Sequence, residues 1–152
     1  MEKQESRVGS AVEMFESGYN CCQAVFATYA DLYGMDREMA LKLASTMGAG
    51  IGRMREVCGA VSAMALLYGL KSGNIDPRDA KAKEETYTVV RNMADKFEAE
   101  NGSIICRELL KLSVKREESA KPDERTKEYY MTRPCSKGVA SAAAIVEEYL
   151  LC

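Results

Sequence analysis

Residues 46–70 read TMGAGIGRMREVCGAVSAMALLYGL, and this stretch joins a glycine-rich loop to the most apolar segment of the chain. Gly48, Gly50 and Gly52 alternate in the loop, and Cys58 follows shortly after them. Glycine is used where the backbone must adopt positive φ or pass close to another group, and it costs about 1 kcal/mol in a helix interior. A plain connection between helices does not need so many glycines. The stretch therefore indicates a built site, with Cys58 near the start of a helix.

The composition is that of an ordinary globular protein. Of the 152 residues, 47% are hydrophobic and 29% are charged, which is enough apolar material for a real core. The net charge of −2 does not point to nucleic acid or an anionic membrane. The apolar runs are too short to span a membrane, and the polar start lacks the apolar core of a signal peptide. We expect one cytoplasmic domain with reduced thiols.

Helical periodicity dominates on both sides of the glycine loop. Apolar residues recur at three- and four-residue spacing between residues that start and end helices. The predicted helices span residues 5–16, 21–33, 57–70, 77–100 and 104–112, with one more after Asp36 and a last one from Cys135 onward. No convincing strand alternation and no internal repeat interrupt this pattern. The fold prediction is therefore all-α, a compact bundle of six or seven helices in a single domain.

The same patterns predict which residues are buried. Residues 57–70 carry no charge, so this helix is expected to be central. In the helix after Asp36, the residues expected to face inward are Met39, Leu43, Ala44 and Met47. The apolar face of residues 77–100 comprises Ala80, Tyr87, Val90, Met93, Ala94 and Phe97, and it suits a homodimer as well as a core. Residues 113–134 are half charged, and we expect an exposed loop that is partly helical around residues 122–130.

Cysteine is the residue type that carries chemistry in this chain. There are six cysteines and no histidine, which removes imidazole metal ligands, histidine-ligated haem and the commonest general base. Cys21, Cys58, Cys106 and Cys135 are separated by 37, 48 and 29 residues. None belongs to a C-x-x-C pair, so zinc ribbons, thioredoxin-type dithiols and bacterial ferredoxin motifs are excluded.

These four cysteines share a local context, because each lies near a signal for the start of a helix. Those signals are Asn20, the glycine loop, Ser103 and Pro134. A helix start has unpaired N–H groups and roughly half a positive charge, which stabilises thiolates. Four such placements suggest that several helix starts converge on one anionic object, and a thiolate-ligated iron–sulfur cluster is such an object.

The chain also resembles a known group of proteins. GYNCCQAV, GAGIGRMREVCGAVSAMALLYGL, CRELL and PCSKGVASAAAIVEEYL together resemble the redox-active family labelled C-GCAxxG-C-C. The resemblance covers residues 18–149, and it implies Cys21, Cys58, Cys106 and Cys135 as the functional set. Similar domains occur fused to cytochromes, where an iron–sulfur centre is the implied cofactor. The motif differs at Ala63, where the family has glycine. It also has a second cysteine, Cys22, beside Cys21, so either of the two could be the ligand. We favour Cys21, because it lies next to the helix cap.

Three functions remain open. The first is a redox protein that binds a cluster, most simply [2Fe–2S], through the four cysteines, with Gly50, Gly52 and Gly59 close to the cofactor, for electron transfer or redox sensing. The second is a thiol–disulfide oxidoreductase in which Cys58 pairs with Cys21 or with Cys135. The third is a structural protein with zinc in the four-cysteine site. No acid–base pair accompanies the thiols, so the sequence assigns neither a substrate reaction nor a redox partner.

Two further groups of residues have open roles. Arg53 and Arg55 either balance charge at the cysteines, receive an acidic partner or are simply solvated. Cys152 at the C-terminus has no motif around it, and we interpret it as incidental.

Overall fold

Helices form wherever apolar residues repeat at helical spacing. The computed structural model describes residues 4–112 and 119–151, and it is 65% helical. Within these residues there is no strand, and one isolated antiparallel bridge joins Val57 to Ile105. The α-helices are α1 (Val8–Glu16), α2 (Cys21–Tyr29), α3 (Arg37–Ser45), α4 (Gly59–Ser72), α5 (Ala80–Asn101), α6 (Cys106–Leu109), α7 (Lys127–Thr132) and α8 (Cys135–Leu150). Six of them have seven residues or more, which confirms the prediction of an all-α, single-domain bundle.

The centre of the bundle is formed by α2 and α4. Helix α2 packs against α1, α3, α4 and α8, and α4 also packs against α5 and α8. Seven of the nine residues of α2 are buried, as expected for a helix covered on nearly every side. The largest fully buried side chains include Phe15, Phe26, Tyr29, Leu67 and Phe97. The expectation that the uncharged helix is central is thus confirmed.

The predicted inward face of α3 is wrong in part. Met39 and Leu43 are 53% and 47% exposed, whereas Ala40 and Ala44 are fully buried. Helix α3 packs mainly on α2, so only a narrow stripe of small residues is covered. Tyr87 of α5 is likewise 62% exposed. The buried residues of this long helix, Met93 and Phe97, lie in its C-terminal half, so the half that contains Tyr87 is not buried by other helices.

Several helix boundaries differ from the sequence prediction. Helix α1 begins at Val8 rather than at residue 5, and the predicted helix 21–33 is α2 followed by a 3-10 helix, Ala30–Tyr33. Helix α5 begins at Ala80 rather than at residue 77, because Asp79 caps it by accepting a hydrogen bond from the Ala82 N–H at 2.9 Å. Helix α4 begins at Gly59, since Val57 is extended and pairs with Ile105. That pairing also shortens the predicted helix 104–112 to the four residues of α6.

The charged loop is described from residue 119 onward. Its helical part is α7, six residues long, and α7 contains no buried residue. Residues 113–118 of the predicted loop, and Cys152, lie outside the described residues. None of the described helices has the length and apolar character that crossing a membrane requires.

Candidate four-cysteine site

Each of the four cysteines lies at the start of a helix, as the sequence predicts. Cys21, Cys106 and Cys135 are the first residues of α2, α6 and α8, and Cys58 is the N-cap residue of α4. The start of α2 is fixed by a capping box, in which the Asn20 side chain and the Gln23 side chain each bind the other's backbone N–H.

The structure brings the four cysteines together around one cavity of about 70 Å³. This volume exceeds what a single water molecule needs, which is roughly 10–15 Å³. The rest of the lining is mostly apolar, with a few polar side chains; it includes Phe15, Phe97, Leu109, Leu110, Arg55, Arg125 and Tyr129. The cavity is therefore a shared pocket at which helix starts from distant parts of the chain meet.

A short antiparallel pairing holds two of the cysteines side by side. The Cys58 N–H donates to the Ile104 carbonyl at 2.8 Å, and the Cys106 N–H donates to the Glu56 carbonyl at 2.7 Å. These bonds align the residues before α4 with those before α6. As a result, Cys58 and Cys106, which are 48 residues apart in sequence, line the same cavity.

Cys21 and Cys58 are in direct contact. The Cys58 thiol donates a hydrogen bond to the Cys21 sulfur, and this bond is the largest cause that lowers the pKa of Cys21 to about 6, against the opposing effect of burial. Backbone N–H groups of Ala49, Gly59 and Cys22 lower the pKa further. The same hydrogen bond, together with burial, raises the pKa of Cys58. At neutral pH the pair therefore holds one thiolate, on Cys21, and one thiol.

The other two cysteines remain protonated at neutral pH. Burial raises the pKa of Cys135 to about 11, and the negative charge of Cys21 adds to that rise. Burial also raises the pKa of Cys106, although its sulfur accepts a hydrogen bond from the Arg55 guanidinium at 3.6 Å. Arg55 is itself buried, with 5% of its surface exposed, so its charge acts on Cys106 at close range.

Gly59 lets the backbone approach the Cys21 sulfur. A Cβ atom at Gly59 would lie 2.6 Å from Cys21 Sγ and 3.0 Å from two backbone atoms, Cys22 N and the Met47 carbonyl oxygen. None of the three glycines predicted near a cofactor, Gly50, Gly52 and Gly59, is among the residues that line the cavity, although Gly59 adjoins the Cys21 sulfur. Gly50 instead packs on the loop itself, since a Cβ there would lie 2.5 Å from Glu56 N.

The loop before α4 is left-handed over five consecutive residues, which the sequence did not reveal. Ala49, Gly50, Ile51, Gly52 and Arg53 all have φ between 52° and 74°. Only two of them are glycines, and a positive φ is unusual for the β-branched Ile51. This path directs the Ala49 N–H at the Cys21 sulfur. Strained backbone of this kind persists where surrounding structure holds it, and it often marks a functional site.

Of the adjacent pair Cys21 and Cys22, only Cys21 lines the cavity. Cys22 is fully buried in the core, where desolvation raises the pKa of its thiol. Ala63, at the position of the family's glycine, is also fully buried in that core. Both features therefore belong to packing rather than to the cavity.

Among the cavity residues that sequence reasoning missed, Arg125 makes the most polar contacts across the sequence. Its guanidinium donates to the carbonyl oxygens of Phe15 at 3.1 Å and of Tyr19 at 3.2 Å, and it lies over the rings of Phe15 and Tyr129. These partners are more than 100 residues away in sequence, except Tyr129, so no local pattern signals the contact.

In the described part of the chain, no group of three or more His, Cys, Asp or Glu residues is arranged to hold a metal ion.

The fold and the cavity define a small helical protein with a shared cysteine pocket at four helix starts. Residues 19–149 match the model of the family described as "Putative redox-active protein (C_GCAxxG_C_C)", and the chain belongs to that family. Searches of the curated proteins and of the solved structures found no match.

Proposed function

We propose that the cavity binds an iron–sulfur cluster, with Cys21, Cys58, Cys106 and Cys135 as its ligands. The observation that supports this proposal is the meeting of four cysteines, from four separate helix starts, around one cavity. When bound, such a cluster supplies a reversible one-electron couple. The protein would then act in electron transfer or redox sensing, in agreement with the redox activity ascribed to the family.

By residue type, the donor set is the one that a [2Fe–2S] cluster takes; among the described residues the four sulfurs line one cavity but are not arranged around a single metal ion. Each iron of such a cluster takes two thiolates, and Cys21 and Cys58 form one pair that is already in contact. Cys106 and Cys135 are the two remaining sulfurs on the cavity wall. All ligands are sulfur, which suits iron–sulfur chemistry in a chain without histidine.

The surroundings suit an anionic group. Backbone N–H groups of Ala49 and Gly59 are directed at Cys21, and those of Ala60 and Val61 are directed at Cys58. The Arg55 guanidinium donates to Cys106. Hydrogen bonds to ligand sulfurs stabilise negative charge and tune the potential of a cluster. The chain thus offers donors on both sides of the cavity to charge that gathers on the sulfurs.

The test is anaerobic purification, followed by reconstitution of the full chain with ferrous iron and sulfide. We expect a brown protein that contains iron and acid-labile sulfide in equal amounts. Replacing any one of the four cavity cysteines by serine should strongly reduce both. The matched control is Cys22→Ala, which changes a cysteine next to Cys21 that faces the core and should leave the iron content unchanged. A wild-type chain that stays colourless after reconstitution would overturn the proposal.

A second function is supported by the contact between Cys21 and Cys58. A thiolate with a neighbouring thiol is the arrangement that forms a disulfide. In this reaction Cys21 attacks a partner disulfide, and the Cys58 thiol loses its proton and resolves the mixed disulfide. The pair on the protein is oxidised by two electrons and the partner is reduced to two thiols.

The two functions are separated by counting thiols in the metal-free chain. A dithiol function predicts that a mild disulfide oxidant removes two thiols reversibly, and that peptide mapping locates the bridge at Cys21 and Cys58. A zinc content that survives dialysis would instead favour the four-cysteine zinc site. Equal amounts of iron and sulfide, with no specific disulfide in the metal-free chain, would leave the cluster as the function.

A further inference from the structure

One wall of the cysteine cavity is a strap, which we define as residues 119–134. Arg125, Tyr129 and Pro134 of the strap line the cavity together with Cys21, Cys58 and Cys106. The helical part of the strap, α7, has no buried residue. The strap packs on the core only through the half-buried side chains of Tyr129 and Tyr130, the latter edge-on against the Phe15 ring at 5.8 Å. Since no residue of α7 is fully buried, polar contacts supply much of what holds the strap in place.

Two side chains of the strap make most of these contacts. Asp123 accepts from Arg53 at 2.9 Å, from Arg133 at 3.2 Å and from Arg55 at 3.4 Å. Burial opposes the ionised form of Asp123, but the bond from Arg53 and the charges of all three arginines lower its pKa. Asp123 thereby joins the strap to the left-handed loop beside the cavity.

Arg125 forms the second attachment, to the end of α1. Its Nη1 donates to the Phe15 carbonyl at 3.1 Å, and its Nη2 donates to the Tyr19 carbonyl at 3.2 Å. Its guanidinium carbon lies 4.6 Å from the centre of the Phe15 ring and 4.9 Å from that of Tyr129. A cation at the C-terminal end of a helix is favourable, and so is a guanidinium over an aromatic face. Arg125 thus bridges the strap to the bundle across the cavity.

We propose that the strap is a lid over the cysteine cavity, and that Arg125 is the positioning residue that holds the lid closed. Apart from the packing of Tyr129 and Tyr130, the attachments are ionic, hydrogen-bonded and cation–π contacts that a few side chains make, and salt weakens the ionic ones. An element held in this way opens locally while the rest of the bundle stays folded. Opening gives iron, sulfide or a thiol-reactive molecule a path to the four sulfurs. The proposal concerns access, so it goes beyond the proposed function and applies to cluster and dithiol alike.

The test measures access to Cys21 in the reduced, metal-free full chain. Rate constants for alkylation are determined with a small reagent, iodoacetamide, and with a bulky dye maleimide, and modification of Cys21 is followed by peptide mass spectrometry. The ratio of the two rates reports access, because a change in the reactivity of the thiol alters both rates together. We expect the wild type to favour the small reagent, and Arg125→Gln to reduce that preference by about tenfold, the change that a loss of about 1.4 kcal/mol produces.

Three comparisons make the result specific. Arg125→Lys keeps the charge but loses the paired donors, so it should fall between wild type and Arg125→Gln. Arg91→Gln removes an exposed arginine of α5 and should leave the ratio unchanged. Cys22 is the internal control, since it is buried in the core beside Cys21 and reacts only when the bundle itself unfolds.

The outcomes decide the proposal in either direction. If Cys21 in Arg125→Gln prefers the small reagent less than Cys21 in the wild type does, and Cys22 stays unreactive, the result supports the lid. An unchanged size preference in Arg125→Gln overturns it. If Arg125→Gln exposes Cys22 as well, wild-type protein in about 1 M NaCl decides, because salt at that concentration screens beyond about 3 Å. Salt should then reduce the size preference at Cys21 alone, and no effect of salt would overturn the proposal.

Discussion

Gly59→Ala is expected to displace the Cys21 sulfur and to destabilise the protein. A Cβ at this position would lie 2.6 Å from Cys21 Sγ, whereas ordinary contact begins at 3.4 Å, so the sulfur must move by 0.8 Å. The two backbone atoms at 3.0 Å leave little room for the new methyl group to retreat. The Cys21 side chain must rotate instead, which breaks its hydrogen bond with Cys58.

The size of the effect follows from two opposing contributions. Overpacking a tight site costs about 1–3 kcal/mol. Replacing glycine by alanine in a helix raises the free energy of unfolding by up to about 1 kcal/mol, because alanine has the higher helix propensity. The net loss in the free energy of unfolding should be about 1–2 kcal/mol. Gly69→Ala in the same helix is the matched control, because nothing lies within 4 Å of a Cβ at that exposed position. It should stabilise the protein by about 0.5–1 kcal/mol.

The assay is urea unfolding of the reduced, metal-free protein followed by far-UV circular dichroism. The unfolding midpoint should fall for Gly59→Ala and rise for Gly69→Ala, with the same dependence on urea in both. Alkylation of Cys21 should shift to higher pH in Gly59→Ala only, since the lost thiol contact no longer favours the thiolate. If both variants are stabilised equally and Cys21 is unaffected, the close contact between Gly59 and the sulfur is wrong.

Three other predictions test separate parts of the structure. In the metal-free chain, alkylation of Cys21 should rise through a pH of about 6; Cys58→Ala should move that midpoint upward, whereas Cys58→Ser keeps a donor and should move it less. Ile51→Gly should raise the free energy of unfolding by about 1 kcal/mol in urea melts, because it relieves a φ of 65°. Tyr29→Phe should lower it by about 1–3 kcal/mol at pH 7, since Glu147 loses a buried donor. The pKa of Glu147 is lowered in the folded state, so this loss should shrink as the pH falls through that pKa and the carboxylate is protonated.

The helix starts could be predicted because their signals are local. Asn20 and Gln23 form a capping box within four residues, and Pro134 precedes α8 directly. Placing the cysteines at those starts needed no knowledge of the rest of the fold. By contrast, whether Met39 and Leu43 are buried depends on what packs against α3, and only α2 covers it substantially. Helical spacing identifies the apolar face of a helix, but it does not tell how much of that face a neighbouring helix buries.

The wall of the site could not be predicted for a related reason. Arg125 contacts the carbonyl oxygens of Phe15 and Tyr19, at sequence separations of 110 and 106 residues, and no spacing rule connects such positions. The alternating glycines indicated an unusual loop, but not that Ile51 and Arg53 would share its left-handed path. Sequence patterns identified the cysteines, whereas the groups that control them come from the tertiary fold.

The absence of histidine gives these controlling groups their importance. A thiolate needs a group that stabilises its charge, and this chain offers backbone N–H groups, arginines and other thiols in place of imidazole. The structure concentrates that stabilisation on Cys21, while burial keeps the pKa of Cys106 and Cys135 high. The metal-free cavity therefore holds one ready nucleophile and three protonated thiols. Binding a cluster must release protons from those three, whereas forming a disulfide uses the one thiolate and the thiol beside it. The same arrangement thus makes Cys21 the first sulfur to react under either proposed function.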